Sequence, residues 1–369
     1  MTYTVAGINF AHFHMGDHLR AVESNPDTDL VAICDEDQET ATLGLADTAA
    51  EFDLDDDQVY REHERCLEER EPDIVVTCPT PLQHASWVER VMMYNVDVIL
   101  EKPFANTVAD ADRIVHAVES SGNRLLVNWP LAWYPSHRTT KRLVDEGTIG
   151  EVTEVDYYDG NRGSHRFTQV EYTDGGEMHF AGEETEGEPA ADIWFHDERV
   201  GGGSLMDYLG YGTTIGTWFR DGEVPSAVTT QTHDPDWSEV DEQSVTIARY
   251  DSGLSTFQTS WNTFTDPWVT QPQPRCGFVL KGTDGTIASY DYQDSVRVQT
   301  ADEPEGFEVP VDDLEPPLQN SLQYMVHCID EDQSVEFGPV SLDLNRKSQR
   351  IIDAARESAE RDETVPVPE

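Results

Sequence analysis

The chain begins with short apolar segments that alternate with segments of helical spacing. The apolar segments are rich in Val, Ile and Leu, and they lie at residues 3–8, 30–34, 73–80, 96–100 and 124–128. The helical patterns between them lie at residues 15–24, 38–51, 84–94 and 107–119. Strands that are apolar along their whole length, each followed by a helix, indicate a parallel sheet buried on both faces. We therefore predict a doubly wound α/β domain over about residues 1–125.

A different pattern begins near residue 150. Segments such as EVTEVDYY, SVTIARY and LSTFQTSW alternate apolar with polar residues, which is typical of an antiparallel sheet with one face packed on helices. Helical spacing returns at 342–361. Residues 126–369 are therefore predicted to form an α+β domain with an open, mainly antiparallel sheet. Within it, the acidic and Gly-rich stretch 163–200 is either a long loop beside the site or an excursion of the sheet domain.

Acidic residues dominate the charge of the chain. Its 369 residues include 73 Asp and Glu against 24 Lys and Arg, which gives a formal charge of −49. Such a polyanion repels nucleic acid and anionic membranes, so neither is an expected partner. Dispersed carboxylates of this density indicate adaptation to molar salt, where counterions screen their repulsion. Five cysteines without CxxC spacing, and no leader or membrane-spanning pattern, favour a cytoplasmic protein.

The turn after the first apolar segment has the position of a dinucleotide-binding turn. In such turns backbone N–H groups receive a pyrophosphate, and an acidic residue after the second strand accepts hydrogen bonds from a ribose. The segment from Gly7 to His12 keeps only one glycine of the usual GxGxxG fingerprint, and Asp35 ends the second predicted strand. Taken alone, the turn leaves open another α/β domain, such as a flavodoxin-like one, in which Asp35 caps a helix within a solvated loop.

Two further turns make the assignment more specific. TPLQH at 80–84 follows one predicted strand, and EKPFA at 101–105 follows the next. Together with GTIGEV at 147–152 and GGGSLMDYLGYG at 201–212, they resemble the Gfo/Idh/MocA oxidoreductase family over nearly the whole chain. The resemblance implies a Rossmann domain that binds NAD(P), followed by an α+β domain for substrate binding and oligomerisation.

The resemblance also implies which residues carry the chemistry. The EKP lysine of the family lies near nicotinamide and substrate, and Lys102 matches it. Asp207 and Tyr211 are four residues apart, so both face the same way if their segment is helical. The family has His more often than Tyr at the second position, and Tyr211 would act as a base only if a cation such as Lys102 stabilised its phenolate. Structural alternatives stay open: an ion pair of Lys102 with Glu101, a helix cap for Asp207 and a packing role for Tyr211.

The expected cofactor is NAD in preference to NADP. Asp35 would repel a 2′-phosphate, and the nearest candidate arginine, Arg61, is far along the chain. The residues expected to contact the cofactor are Gly7, Asn9, Phe10, Ala11, His12, Asp35, Thr80, Pro81, His84, Glu101, Lys102 and Asn128. No metal site is expected, because His12, His14 and His18 lie in a cofactor-binding turn, where contacts with phosphate or nicotinamide suit them better.

The sequence therefore predicts an NAD(P)-dependent oxidoreductase that transfers a hydride between nicotinamide and a small-molecule substrate, namely a sugar, polyol or related cyclic alcohol. Lys102, Asp207 and Tyr211 are its expected catalytic residues, in an interdomain cleft that Asn128 and Trp129 also line. Two other classes stay open. One is an NAD-dependent glycosidase on the same fold, and the other is a non-catalytic nucleotide-binding sensor.

A homo-oligomer, either a dimer or a tetramer, is also expected. The alternating strands between residues 227 and 299 offer a sheet face that the first domain cannot cover, and Phe257 and Trp261 are expected on it. An exposed apolar sheet face usually finds a partner, and closed twofold symmetry is the commonest solution.

Overall fold

The computed structural model describes most of the chain. It covers residues 2–37, 39–161, 194–236, 238–263 and 275–368, together with the backbone of 169–172 and 178–181. Contacts between residues divide the chain into two compact units. The first consists of Met1–Asn128, Ser164–Gly201 and Asn320–Glu336. The second consists of Trp129–Gly163, Gly202–Gln319 and Phe337–Glu369. The domain boundary proposed between residues 125 and 126 stays a prediction.

Helices and strands alternate along the first part of the chain, and strands dominate its later part. The helices are α1 (His14–Ser24), α2 (Leu45–Glu51), α3 (His63–Arg70), α4 (His84–Val91), α5 (Val108–Ser121), α6 (Pro135–Asp145), α7 (Ser204–Phe219), α8 (Ser321–Asp330) and α9 (Leu342–Arg361). The strands are β1 (Tyr3–Phe10), β2 (Thr28–Cys34), β3 (Val59–Tyr60), β4 (Ile74–Cys78), β5 (Asp97–Glu101), β6 (Leu125–Asn128), β7 (Val152–Gly160), β8 (Gln169–Tyr172), β9 (Met178–Ala181), β10 (Ala227–His233), β11 (Gln243–Arg249), β12 (Leu254–Ser260), β13 (Gly277–Gly282), β14 (Gly285–Tyr290), β15 (Ser295–Thr300), β16 (Phe307–Pro310) and β17 (Val365–Pro366).

The first unit is built on a six-stranded parallel sheet in the order β3-β2-β1-β4-β5-β6. Every residue of β4 and β5 is buried, as the continuous apolar runs predicted. This order is that of the Rossmann fold, in which the chain turns back between β1 and β4 and leaves a crevice at the carboxyl ends of the strands. The predicted fold class of the first domain is confirmed.

The predicted elements of this unit differ from the structure in two ways. The helix expected over 38–51 begins only at Leu45, because Gly44 has an extended backbone with ψ of 134° and serves as the N-cap. The strand β3, the helix α3 and the helix α8 were not predicted. β3 has two residues, too few to show a period, and α8 comes from a part of the chain almost 200 residues beyond β6.

The second unit contains a nine-stranded sheet in the order β16-β15-β14-β13-β7-β12-β11-β10-β17. Every neighbouring pair is antiparallel except β7 with β12, which confirms the open, mainly antiparallel sheet. Helix α7 packs on this sheet through two of its glycines. A Cβ atom on Gly212 would lie 2.5 Å from the Tyr157 ring, and one on Gly216 would lie 3.1 Å from the Phe257 ring. The glycines of α7 therefore permit the close approach.

The expected positions of Phe257 and Trp261 are wrong. Both side chains are fully buried, because Phe257 lies on the sheet face that α7 covers and Trp261 donates a hydrogen bond to Asp207 of α7. The opposite face carries Val245 and Ile247, whose side chains are 43% and 42% exposed. The open face thus carries exposed apolar residues among polar ones, and they are other residues than those expected.

Much of the stretch 163–200 lies outside the described residues, and its two described strands are not part of the nine-stranded sheet. β8 and β9 pair with each other in a separate two-stranded antiparallel sheet. Residues 194–196 and 198–200 each form one short 3-10 turn and belong to the first unit. None of the described helices is long and apolar enough to cross a membrane.

Candidate active site

The end of β1, which leads into the turn before α1, keeps one of the usual glycines and has an asparagine in place of another. Gly7 is kept because a Cβ atom there would lie 3.1 Å from Leu19 and Met15 of α1, so the glycine lets the helix pack on the strand. Asn9 has a φ of 67°, in the left-handed region that glycine usually fills and that asparagine tolerates best among other residues. The Asn9 side chain accepts a hydrogen bond of 2.9 Å from the Thr77 hydroxyl. The turn therefore keeps the backbone course of a dinucleotide-binding turn with fewer glycines.

Asp35 directly follows β2, at the sheet edge where such folds bind ligands. Its side chain is 1% exposed, and one carboxylate oxygen accepts a hydrogen bond of 3.3 Å from the Asp37 amide. Burial raises the pKa of Asp35 to about 7, although the amides of Asp37 and Phe10 and the charge of Arg61 oppose the rise. The alternative of a solvated loop around Asp35 is therefore wrong.

Arg61 was expected to be far from Asp35, but the structure places the two side by side. Strands β2 and β3 are parallel neighbours with Cys34 opposite Tyr60, so the residues that follow them, Asp35 and Arg61, are neighbours as well. The Arg61 side chain is exposed, and its charge favours the ionised form of Asp35. The shortness of β3 hid this proximity in the sequence. A cation thus stands next to the residue expected to exclude NADP.

The TPLQH turn places a hydroxyl and an imidazole at the end of β4. The hydroxyl of Thr80 is buried and has no hydrogen-bond partner in the part of the chain that the structure describes. The ring nitrogens of His84 lie 3.3 Å from the carbonyl of Phe104 and 3.2 Å from that of Pro79, and burial lowers the pKa of His84 to about 4. Thr80 is therefore open to a ligand, whereas His84 connects two loops and would act on a cofactor through them.

Glu101 is the last residue of β5 and Lys102 follows it, and both are buried. Oε1 of Glu101 lies 2.9 Å from Nδ1 of His14, and Oε2 lies 3.1 Å from Nε2 of His18. The Asn128 amide donates to Oε2 at 3.3 Å. His14 and His18 are four residues apart on α1 and therefore face the same side. That spacing is the sequence signal that could have identified them as a pair.

His12 completes this cluster as a buried, neutral imidazole. Its Nδ1 accepts a hydrogen bond of 3.1 Å from the His14 amide. Burial, followed by the nearby His14 and Lys102, holds the pKa of His12 well below its usual range. Atoms of His12, His14 and Glu101 lie within 4.8 Å of one another and are of the types that suit a transition metal. The Nδ1 atoms of both histidines form hydrogen bonds, and the expected absence of a metal stays a prediction.

Two aromatic residues that were not predicted also contact the turn. The indole of Trp194 donates a hydrogen bond of 2.7 Å to the carbonyl of Ala11, and its ring stacks on Phe195. The Phe195 ring meets the His12 ring edge-on at 5.7 Å between centroids. The side chain of Phe10 is fully buried, so only its backbone is available to a cofactor. No periodicity in the sequence marks Trp194, because it lies in an irregular stretch.

Asp207 and Tyr211 lie on α7 of the second unit, one helical turn apart as predicted. Asp207 accepts a hydrogen bond of 3.1 Å from the Trp261 indole. Tyr211 packs edge-on against Trp129, with 5.1 Å between ring centroids. The helix cap is Asp241 instead of Asp207, since Asp241 accepts from the hydroxyl of Ser204 and the amide of Leu205 at the start of α7.

A second acidic group in this unit was not predicted. The hydroxyl of Tyr157 donates to Asp159 at 2.9 Å, and the pKa of Asp159 is raised by burial and by the neighbouring Asp291. Asp291 in turn lies 2.9 Å from Nε2 of His137. Burial and nearby carboxylates also hold the pKa of Tyr208 well above its usual range. The side chains around Tyr211 within the second unit are thus acidic and phenolic.

The first unit fits a dinucleotide at its carboxyl edge. The positive φ of Asn9 allows close approach to the backbone, Asp35 stands at the end of β2, and the Thr80 hydroxyl is unpartnered among the described residues. These features define an NAD-binding Rossmann domain attached to an α+β sheet domain.

Comparison with known proteins gives the family. Residues 1–129 match the family model described as "Oxidoreductase family, NAD-binding Rossmann fold". Residues 137–288 match the model described as "GFO/IDH/MocA C-terminal domain". The chain belongs to the Gfo/Idh/MocA oxidoreductase family.

Individual relatives are more distant. The chain is 32% identical to the D-apiose dehydrogenase of Paraburkholderia graminis over 138 residues, which are 37% of this chain and 35% of that protein. It is 24% identical to an inositol 2-dehydrogenase of Salmonella typhimurium over 141 residues, 38% of this chain and 40% of that protein. Both matches span well under two thirds of the relative. An oxidoreductase from Agrobacterium radiobacter, solved with NAD+, L-tartaric acid and magnesium, has a TM-score of 0.74 at 19% identity, covering 100% of this chain and 99% of its own.

Proposed function

We propose that the protein is an NAD-dependent dehydrogenase that oxidises a secondary alcohol of a sugar, a polyol or a related cyclic alcohol. The observation that carries the proposal is the carboxyl edge of the first unit. There the Asn9 turn, Asp35 and the Thr80 hydroxyl, which has no partner among the described residues, offer dinucleotide contacts. The next strand ends in the buried Glu101, and the buried Lys102 follows it. The similarity to a D-apiose dehydrogenase and an inositol dehydrogenase supports the substrate class.

In this proposal the residues of the chain bind, orient and move a proton. When bound, NAD would supply the hydride acceptor for the carbinol carbon of the substrate. Backbone N–H groups of the turn after β1 would hold the pyrophosphate, and Asp35 would accept hydrogen bonds from ribose hydroxyls. Lys102 and Tyr211 are the candidate acceptors of the substrate hydroxyl proton, and Asp207 orients the substrate.

The proposal includes NAD in preference to NADP. An ionised Asp35 accepts hydrogen bonds from the ribose and repels a 2′-phosphate. The neighbouring Arg61 acts against this preference, because its guanidinium attracts a phosphate. The preference is therefore expected to depend on how far Asp35 is ionised. An oligomeric, salt-adapted and cytoplasmic enzyme is part of the same proposal.

A substrate screen tests the proposed function. The purified protein is mixed at molar KCl with aldoses, inositols and sugar acids and with either cofactor, and the absorbance of reduced nicotinamide is followed. Reduction of NAD by one of these alcohols is the expected result. Cleavage of a glycoside with bound NAD unchanged would show a glycosidase instead. Tight NAD binding without turnover of any alcohol or glycoside would show a sensor.

A further inference from the structure

Glu101 holds two imidazoles, one on each carboxylate oxygen. The carboxylate is completely buried at the end of β5. Oε1 meets Nδ1 of His14 at 2.9 Å, while Oε2 meets Nε2 of His18 at 3.1 Å and the Asn128 amide at 3.3 Å. Three donors thus fix the orientation of a single buried acid.

The charge of Glu101 determines where the imidazole protons lie. Burial alone would raise the pKa of Glu101, but the charge and hydrogen bond of His14 and the hydrogen bond of His18 outweigh it and hold the pKa well below the usual range. An ionised carboxylate only accepts hydrogen bonds, so the facing nitrogen of each histidine is the one that carries a proton. In neutral His14 the proton is therefore on Nδ1 and the lone pair on Nε2.

The two histidines differ in access. The side chain of His18 is 6% exposed, and its Nε2 is the nitrogen that faces Glu101. The side chain of His14 is 18% exposed, and its Nε2 has no hydrogen-bond partner among the residues that the structure describes. The neutral His12 ring lies 4.2 Å from the His14 ring, between centroids. Of the two, His14 is the more exposed, so its Nε2 lone pair is the more accessible.

We propose that His14 is a general base of this enzyme, activated by Glu101. The inference rests on the proposed function and names the proton acceptor within the NAD-binding unit. A buried carboxylate that binds Nδ1–H fixes the tautomer of an imidazole and stabilises the imidazolium that forms, as in the Ser-His-Asp arrangement. Among the described residues, the titratable groups in contact with His14 are Glu101 and His12. His18 lies on the other oxygen of Glu101, and the charge of Lys102 acts on His12.

The proton transfer balances as follows. The O–H bond of the substrate hydroxyl breaks, and its proton forms a new N–H bond at Nε2 of His14. The electron pair of the O–H bond becomes the second bond of the carbonyl, while the C–H bond is lost as hydride to the oxidant, the NAD of the proposed function. His14 then carries a positive charge opposite the negative charge of Glu101, so no unpaired charge is created in the buried cluster.

A pair of matched variants tests this role by activity. His14→Asn keeps an amide N–H that can donate to Glu101 but removes the basic nitrogen. We expect it to fold and to bind NADH as the wild type does, and to lose roughly 10²- to 10⁴-fold in kcat, the range for a positioned proton-transfer group. His14→Ala with added imidazole should regain part of the rate, and more basic imidazoles should restore more. A rate for His14→Asn within a few-fold of wild type, or no rescue of His14→Ala, overturns the proposal.

Chemical labelling gives a readout that needs neither cofactor nor substrate. Diethyl pyrocarbonate acylates an unprotonated imidazole nitrogen, and fragmentation mass spectrometry locates the adduct. At alkaline pH, where the imidazoles are unprotonated in both proteins, we expect His14 to react before His12 and His18. Glu101→Gln should slow that reaction several-fold, because Nδ1–H loses its anionic acceptor, while leaving the exposed reference His116 unchanged. A thermal melt shows whether Glu101→Gln is folded. If it is not, Asn128→Asp is used instead, because it places a second charge beside the Glu101 carboxylate. This variant should also change the labelling rate at His14.

The two proposals fail separately. If the wild type oxidises no alcohol, the proposed function falls, and the labelling alone decides whether His14 has the reactivity of an activated base. If the wild type is active but the labelling rate at His14 is insensitive to Glu101, the role of His14 falls and the dehydrogenase stands.

Discussion

The binding of NAD should depend on pH through Asp35. The pKa of this carboxyl is raised to about 7, chiefly by burial, so the free protein keeps the proton on Asp35 up to near neutrality. The ionised form accepts charge-assisted hydrogen bonds from the ribose hydroxyls, whereas the neutral form accepts only weaker ones. The sign follows directly: affinity for NAD is full well above pH 7 and weakens as pH falls through 7.

The magnitude follows from the same pKa. With a pKa of about 7, the ionised fraction is about nine tenths at pH 8 and about one tenth at pH 6, so the dissociation constant should rise roughly tenfold between them. Replacement of Asp35 by Asn removes charge-assisted hydrogen bonds worth ~1.5–3 kcal/mol, or roughly 10- to 150-fold in affinity, at pH 8. That variant should show little dependence on pH.

Titration of NADH fluorescence at constant molar KCl measures both quantities. NADP should gain on NAD as pH falls, because neutral Asp35 no longer repels the 2′-phosphate while Arg61 keeps its charge. Asp241→Asn is the matched control. Burial also raises the pKa of Asp241 to about 7, but this residue caps α7 in the second unit. An Asp35→Asn variant that keeps the wild-type pH dependence would refute the assignment of Asp35 to the ribose.

Four further predictions concern catalysis, packing and assembly. Lys102→Met should lower kcat by roughly 10²-fold or more with little loss of folding, measured by initial rates and thermal melts. Near-normal turnover would show that Lys102 is not a catalytic residue. Tyr211→Phe keeps the ring, so kcat should collapse if Tyr211 is the proton acceptor. If Tyr211 only packs, the variant should lose ~1 kcal/mol of unfolding free energy in denaturant and almost no activity. Gly210→Ala places a Cβ 2.4 Å from the Trp129 ring and should destabilise the second unit by ~1–3 kcal/mol in denaturant unfolding, more than Gly216→Ala. Light scattering at molar salt should show a dimer or tetramer, because one sheet face of the second unit carries exposed apolar residues, and a monomer at micromolar concentration would contradict this.

Comparison of the candidate bases separates the two mechanisms that the chain allows. If His14 is the proton acceptor, His14→Asn loses turnover while Tyr211→Phe keeps it. If Tyr211 is the acceptor, the pattern reverses. Burial, followed by nearby carboxylates, holds the pKa of Tyr157 and of Tyr208 well above the usual range.

Much of the candidate site followed from residue order alone. The glycine that stays in the first turn, the acid after β2 and the EKP motif after β5 all stand at strand ends, and the carboxyl ends of parallel strands meet at one edge. Residue types therefore suffice to predict that Asp35, Thr80 and Glu101 share an edge. Residue types do not predict the ionisation of Asp35. Its pKa is raised by burial, whereas the flanking Glu36 and Asp37 suggest an exposed segment.

The sequence by itself determined the two-part architecture, since the change from continuous to alternating apolar patterns reflects sheets buried on two faces or on one. Tertiary structure decided which residues became neighbours across long stretches of chain. It brought Arg61 beside Asp35, His14 and His18 to opposite oxygens of Glu101, and Trp194 to the carbonyl of Ala11. It also decided which face of the second sheet α7 covers, and hence that Phe257 is core. Periodicity shows which side of each segment is exposed to solvent. These pairings depend instead on strand order and register, which cannot be read from a single sequence.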